Sequence, residues 1–198
     1  PVAGTPEELM LCKDQQLRLF TVQRNAQLHP VDTVAGDWKE ADAASVREFS
    51  AAAYYYGKTL RQSLGVPVGL IVREGGGSAC EAWSNGKPSK SEGRKARRKL
   101  HTPWNEADVK KYQQRCPSAL YNGMLHPLIG YTMKGVIWYQ GEDNCNRYAT
   151  YADQMQTLVN SWRKEWKQGI FPFYYCQIAP YDYSLIKWKN NGALLREK

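Results

Sequence analysis

Residues 134–144, KGVIWYQGEDN, hold the densest set of groups that could do chemistry in this chain. An amide (Gln140), a glycine, two acids (Glu142, Asp143) and a second amide (Asn144) follow directly on Val136–Tyr139. That short run of β-branched and aromatic residues reads as a buried strand of a parallel sheet. Open α/β sheets bind ligands at the carboxyl ends of such strands, so the hydrogen-bonding and acidic groups bunched there are a site candidate. The plain alternative is a strand running into a polar turn. A second candidate is Glu74-Gly75-Gly76-Gly77-Ser78, which follows the apolar stretch Val66–Val72, VPVGLIV. Glycines after a strand let backbone amides approach a ligand or take positive φ, and a tight turn would explain them equally. No Lys-Ser/Thr follows at the spacing of a phosphate-binding loop.

Metal and disulfide chemistry find little support. Cys12, Cys80, Cys116, Cys145 and Cys176 show neither C-x-x-C nor zinc-type spacing, and an odd, scattered set is no disulfide framework. One bridge stays open; no metal or cofactor is expected. The net charge of +8 is concentrated in Lys87–Lys99, KPSKSEGRKARRK, where seven basic residues and one acid supply six of the eight charges. Such a run reads as a solvated surface insertion at about residues 85–103. It contains no aromatics for base stacking, so nucleic acid is not an expected partner, although contact with an anionic polymer is the use such a run would have. No apolar stretch approaches the ~20 residues of a membrane helix, and no signal-type segment opens the chain. The opening PVAGTPEELM reads like the interior of a longer protein. Seven Trp and thirteen Tyr suit either an aromatic-walled pocket or an aromatic core.

The elements that must position these candidates alternate. LRLFTV (residues 17–22) reads as a strand, followed by an aperiodic loop over residues 23–40. Ser45 and Glu48 have the spacing of a capping box. Val46, Phe49, Ala53, Tyr56, Leu60 and Leu64 then trace one amphipathic helix, closed by Gly65 and Pro67. VPVGLIV is apolar enough for a central strand. Residues 106–115 and 118–125 read as short helices, and Tyr151, Met155, Leu158, Val159, Trp162 and Trp166 as the packing stripe of a longer one closed by Gly169. FPFYYCQI (171–178) is a further strand, and residues 193–198 begin a helix. Strands alternating with helices predict an α/β parallel sheet.

Taken in order, RLFTVQRN, EFSAAAYYYGKTL, GVPVGLI, GGGSACEAW, LYNGMLHPL, KGVIWYQGEDN, YADQMQTLVNSWRKEW and FPFYYCQIAPY resemble the sialate O-acetylesterase family across nearly the whole chain except the basic run. These are SGNH-type serine hydrolases that remove acetyl groups from sugars. The resemblance implies a three-layer, flavodoxin-like α/β fold over residues 1–198, incomplete in this chain, and an acetylated carbohydrate as substrate. It also implies a secreted, periplasmic or lysosomal setting. A non-catalytic carbohydrate-binding or degenerate esterase module is the alternative.

The family's nucleophile lies in a G-Q-S-N-type motif and its base in a D-x-x-H-type motif. Neither motif occurs here: Ser50, Ser63, Ser78 and Ser84 sit in other contexts, and none of His29, His101 and His126 has an Asp three residues before it. Catalysis is therefore expected of a longer parent, with these 198 residues inactive alone. Because the family's first strand lies mid-sheet, a chain without it is also expected to be poorly stable. What the resemblance does place in this chain is an oxyanion hole. Gly76 and Gly77 would supply a backbone N–H and Gln140 a side-chain N–H. The family's tryptophan-glycine-glycine-threonine reads Gly75-Gly76-Gly77-Ser78 here, with the tryptophan lost and Ser in place of Thr. Glu142 is expected to hold loops by hydrogen bonds, with Asn144 beside it. His126, with Asn122 in the same NGMLHPL block, is expected as a buried, hydrogen-bonded helix-end residue that supports the site.

Overall fold

The computed structural model describes residues 6–73, 76–85, 104–181 and 191–198. The chain divides into two compact units, one of residues 1–24 and 34–74, the other of residues 25–33 and 75–198. The basic run lies outside the described residues.

In the first unit, strand β1 (Asp14–Thr21) is central to a three-stranded sheet ordered β2-β1-β3. Leu17 and Leu19 alternate inward, the two-residue period of a half-buried strand. The strand β3 (Val68–Val72) runs parallel to β1 from Leu17 opposite Val68 to Thr21 opposite Val72. The strand β2 (Trp38–Ala41) runs antiparallel on the other side, pairing Phe20 with Trp38 and Arg18 with Glu40. Two expectations are corrected here. The aperiodic loop ends in a strand, because Trp38 covers Phe20 (ring centroids 5.3 Å apart) and Arg18 pairs with Glu40 at 3.2 Å, contacts only pairing reveals. VPVGLIV is an edge strand in which only Leu70 is buried.

A helix α1 (Pro6–Met10) precedes β1. The single helix expected after β2 is two, α2 (Ala43–Arg47) and α3 (Ala51–Leu64). The capping box belongs to Asp42 and Ser45, with Ser45 in the third helical position rather than at the cap, and the side chain of Ser50 accepts from Ala53 N to start α3. An acid one turn earlier and a serine one turn later each satisfy free amides, so the break falls between them. The buried face of α3 is Ala53, Tyr54 and Gly57, with Gly57 against Leu70 of β3; Tyr56 and Leu64 face solvent. Gly65 closes α3 in the left-handed region (φ 67°) as expected.

In the second unit, β4 (Val136–Trp138) and β5 (Phe173–Tyr175) form a parallel pair joined by the nineteen-residue α5 (Tyr148–Trp166). Before them come α4 (Glu106–Tyr112), a π-type turn over Tyr121–Leu125 and a 3-10 turn over His126–Leu128; after them comes α6 (Asn191–Arg196). The run 136–139 is shorter and less buried than expected. Only Trp138 is buried and Tyr139 is 55% exposed, and among the described residues β4 pairs with β5 alone. The helix α5 ends at Lys167 in the left-handed region, two residues before Gly169. The core is aromatic: Trp138 meets Trp83, Trp162 and Phe173 at centroid distances of 6.2, 5.7 and 6.1 Å. The indoles of Trp83 and Trp162 donate to Ser78 Oγ (3.0 Å) and Trp83 O (3.1 Å), so these large rings are buried without losing their hydrogen bonds. Most of the tryptophans are thus core, in line with one of the two uses that composition allowed. The described residues contain no helix long and apolar enough to cross a membrane.

Candidate active site

The chain leaves β4 into Gln140 and turns at Gly141, where a side chain would stand 2.8 Å from Ile178 Cγ2 and 3.1 Å from Leu195 Cδ2. That close approach fixes the turn and starts a 3-10 segment, Glu142–Arg147, which carries Asp143 and Asn144 before α5 begins. Asn144 is fully buried at 0% exposure. Its Oδ1 accepts from Cys80 N (2.9 Å) and Gln140 Nε2 (2.7 Å), while its Nδ2 donates to Glu81 Oε2 (2.9 Å) and Gln154 Oε1 (3.1 Å). All four bonds of a primary amide are made, as a buried polar group requires.

Asn144 thereby orients Gln140, which is 8% exposed. The Gln140 Nε2 donates to Asn144 Oδ1 and to the carbonyl of Ser78 (2.8 Å), and the Tyr151 hydroxyl donates to both Gln140 Oε1 (2.9 Å) and Gln140 O (2.8 Å). Donors and acceptors alternate around this ring of groups, so the –NH₂ of Gln140 is held toward the 76–79 loop. Burial first, then the nearby Cys80 and Glu142, pushes the Tyr151 phenol far above its ordinary range. It therefore stays a donor at every ordinary pH. Gly76 and Gly77 form the turn immediately before Ser78, with Gly77 in the left-handed region (φ 68°) and open space where either side chain would be. The two stretches singled out in the sequence thus meet through one hydrogen bond, from Gln140 to Ser78.

The carboxylate that holds the loops is Glu81, and this corrects the expectation for Glu142. Glu142 is exposed, and no hydrogen bond to it is found among the described residues. Glu81 accepts from Asn144, from Gln154 Nε2 (3.1 Å) and from Arg147 Nε (3.0 Å). Arg147 Nη2 also lies 3.7 Å from Asp143 Oδ2, and Arg115 grips Asp143 Oδ1 through Nε (2.8 Å) and Nη2 (2.7 Å). Gln154 had a signal in the sequence, since Gln154, Leu158, Trp162 and Trp166 recur every four residues and all four are buried. A glutamine heading such a stripe needs a polar partner. Glu81 had no such signal.

Asn122 and His126 lie apart from this network. Asn122 Nδ2 donates to Gln27 O (3.2 Å) and Leu28 O (2.8 Å), and His126 Nδ1 is 3.0 Å from Val31 O. They staple the segment 25–33 to the π-type turn. Gly123 sits at the seam, where a Cβ would stand 1.8 Å from Asn25 O. His126 is half-buried rather than buried, its ring packed at an angle against Tyr121 with a centroid distance of 6.1 Å. The five cysteines are free thiols. Among the described residues no cluster of His, Cys, Asp or Glu has the arrangement of a metal site.

The polar site thus stands on the loop after a parallel strand, with its neutral donors locked in place. The model of the family described as "Carbohydrate esterase, sialic acid-specific acetylesterase" matches residues 11–196, and the chain belongs to that family. It is 29% identical over 206 residues to the sialate O-acetylesterase of Rattus norvegicus, covering 84% of this chain and 38% of that protein. To the sialate O-acetylesterase of Homo sapiens it is 30% identical over 182 residues, covering 83% and 34%. Among solved structures it resembles a carbohydrate acetylesterase from Xanthomonas citri, at a TM-score of 0.80 and 34% identity over 98% of this chain and 42% of that one. A protein from Arabidopsis thaliana shares the fold, at a TM-score of 0.54 and 16% identity over 99% of this chain and 67% of that one. The chain spans well under half the length of the curated relatives it matches. The fold is α/β with parallel pairing, part of the SGNH-like architecture of these esterases.

Proposed function

We propose that this chain supplies the oxyanion hole of a carbohydrate O-acetylesterase whose serine nucleophile and histidine base lie outside these 198 residues. The observation that carries the proposal is the orientation of Gln140, whose –NH₂ is fixed by Asn144 and Tyr151 and meets the loop of Gly76 and Gly77 at Ser78 O. In the reaction a serine oxygen bonds to the acetyl carbonyl carbon and the histidine takes the serine proton. The carbonyl oxygen becomes an oxyanion, the bond to the sugar oxygen breaks, and that oxygen receives the proton from the histidine. Water then repeats the sequence on the acyl-enzyme and releases acetate.

The role of Gln140 is to donate to the oxyanion. At rest both of its N–H groups are engaged, so it must exchange the Ser78 carbonyl for the substrate oxygen. The exchange gives up one neutral hydrogen bond, about 0.5–1.5 kcal/mol. An oxyanion-hole donor contributes ~2.7–4 kcal/mol in the transition state, so the exchange is favourable only once charge develops. The donor thus discriminates between ester and intermediate, as catalysis requires.

The test is acetate release from an O-acetylated sugar by the protein that carries this chain. Stoichiometric release that is lost on covalent modification of a serine supports the proposal. Binding of the sugar with no acetate released would overturn it in favour of a non-catalytic carbohydrate-binding module.

A further inference from the structure

Beside the Gln140 network lies a cavity of about 170 Å³ lined by Ala79, Glu81, Trp104, Arg115, Asp143 and Arg147, with Pro117 at its side. It adjoins the site at two points. Ala79 follows Ser78, whose carbonyl holds the Gln140 amide, and Glu81 is bonded to Asn144, which holds it from the other side. None of the roles assigned above uses this space.

We infer that this cavity is the subsite for the sugar ring of the acetylated substrate, and that it is built for a neutral saccharide rather than for one carrying a carboxylate. The inference rests on reading the Gln140 site as that of a carbohydrate esterase.

Three observations carry it. The first is the wall: Trp104 lines the cavity, its ring perpendicular to that of Tyr112 at a centroid distance of 5.9 Å, and the apolar C–H face of a sugar ring stacks on aromatic surfaces of this kind. The second is an open donor. The indole Nε1 of Trp104 is buried and has no hydrogen-bond partner among the described residues, a rare condition for a buried polar atom and one a sugar hydroxyl would relieve. The third is charge. Two guanidinium groups and two carboxylates line the cavity, and they are paired with each other: Arg147 with Glu81 and Arg115 with Asp143.

That balance decides the class of ligand. A sugar carboxylate would need an uncompensated cation, and among the described residues both cations that line the cavity already face an acid; it would be set against Asp143 and Glu81, a like-charge juxtaposition. A hydroxyl meets no such conflict, because it accepts from a guanidinium N–H and donates to a carboxylate oxygen at the same time. Arg115 keeps donors for this purpose. It uses only Nε and Nη2 on Asp143, and its side chain is 63% exposed. Adjacent hydroxyls on one ring edge fit the alternation of Arg and carboxylate along the wall.

The test titrates two matched probes, methyl β-glucoside and methyl β-glucuronide, which differ in one carboxylate, into the protein that carries this chain while following the Trp104 indole N–H resonance. The glucoside is expected to shift that resonance. Arg115→Met, which keeps the length of the side chain and removes its hydrogen bonds, is expected to weaken its binding about tenfold. Removing the stacking face in Trp104→Ala should cost about as much, read by the remaining tryptophan fluorescence. The glucuronide is expected to bind no more tightly than the glucoside. Tenfold tighter binding of the glucuronide, glucoside binding unchanged by both variants, or no glucoside binding at all would each overturn the inference. Acetate release from a simple aryl acetate by the protein that carries this chain separates the two readings. With that release present and sugar binding absent, the subsite fails alone; with sugar binding present and release absent, the esterase reading fails.

Discussion

Asn144→Asp changes one –NH₂ group to oxygen, and its cost follows from the four bonds that Asn144 makes. The two accepted bonds, from Cys80 N and Gln140 Nε2, survive. The two donated bonds end on Glu81 and Gln154, and a carboxylate can donate to neither. While the introduced carboxyl is protonated, its one O–H keeps the bond to Glu81. Only the bond to Gln154 is lost, at about 0.5–1.5 kcal/mol. Once the solution pH exceeds the ordinary aspartate value, the folded state must either retain that proton or place a second negative charge against Glu81. Retention costs about 1.4 kcal/mol for each pH unit above about 3.9, roughly 4 kcal/mol at pH 7, which caps the penalty. The sign follows from the proton: the introduced group has a folded pKa above its unfolded one, so stability relative to the parent is preserved at low pH and lost as pH rises. Urea unfolding of variant and parent, followed by tryptophan fluorescence, should therefore show a difference of about 2 kcal/mol at pH 4.5 and about 5 kcal/mol at pH 7. A difference that does not grow between these pH values would refute the assigned orientation of Asn144, and with it the orientation of Gln140.

Two further outcomes follow from the packing. Gly123→Ala drives a methyl group into Asn25 O, 1.8 Å from the position it would take, so the segment 25–33 should detach at a cost of about 3 kcal/mol. Hydrogen exchange should then show lost protection at Gln27 and Val31, whose amides bond Ala119 O and Asn122 O; full protection would contradict the seam described above. At alkaline pH, burial first and then Asp108 push the Cys116 thiol from 9.0 up to about 11. The folded chain keeps a proton that the unfolded chain releases, so stability should fall as pH rises through about 9 to 11, and Cys116→Ala should flatten that fall in denaturant melts. An unchanged slope would show that Cys116 is not the group responsible.

The sequence made the elements legible where periodicity was strong, and obscured them where pairing or burial decided the matter. The α5 stripe, the Gly65 stop and the β1 and β3 strands follow from local pattern. The strand β2 does not, because WKEA has no apolar alternation and forms by covering Phe20 and pairing Arg18 with Glu40. The break between α2 and α3 turned on which of several polar residues caps, and Asp42 and Ser50 were better placed than Ser45. At the site, Gln140 and the glycine pair were legible as stretches after strands, and the structure brings those stretches together at Ser78. The choice between Glu142 and Glu81 was not legible. Both acids neighbour a candidate stretch, and only folding shows that Glu142 points to solvent while Glu81 is enclosed by Asn144, Arg147 and Gln154. Tyr151 read as packing because its stripe is apolar, whereas its hydroxyl is spent on Gln140.

The central claim is that Gln140 stabilises charge that exists only in the transition state. Its most direct measurement is kcat and KM for an acetylated sugar, with and without Gln140→Ala, in the protein that carries this chain. Gln140→Ala is expected to lower kcat by about 10²–10³-fold with KM changed little, since the donor acts on the intermediate and not on the bound ester. An unchanged kcat, or a loss confined to KM, would contradict it.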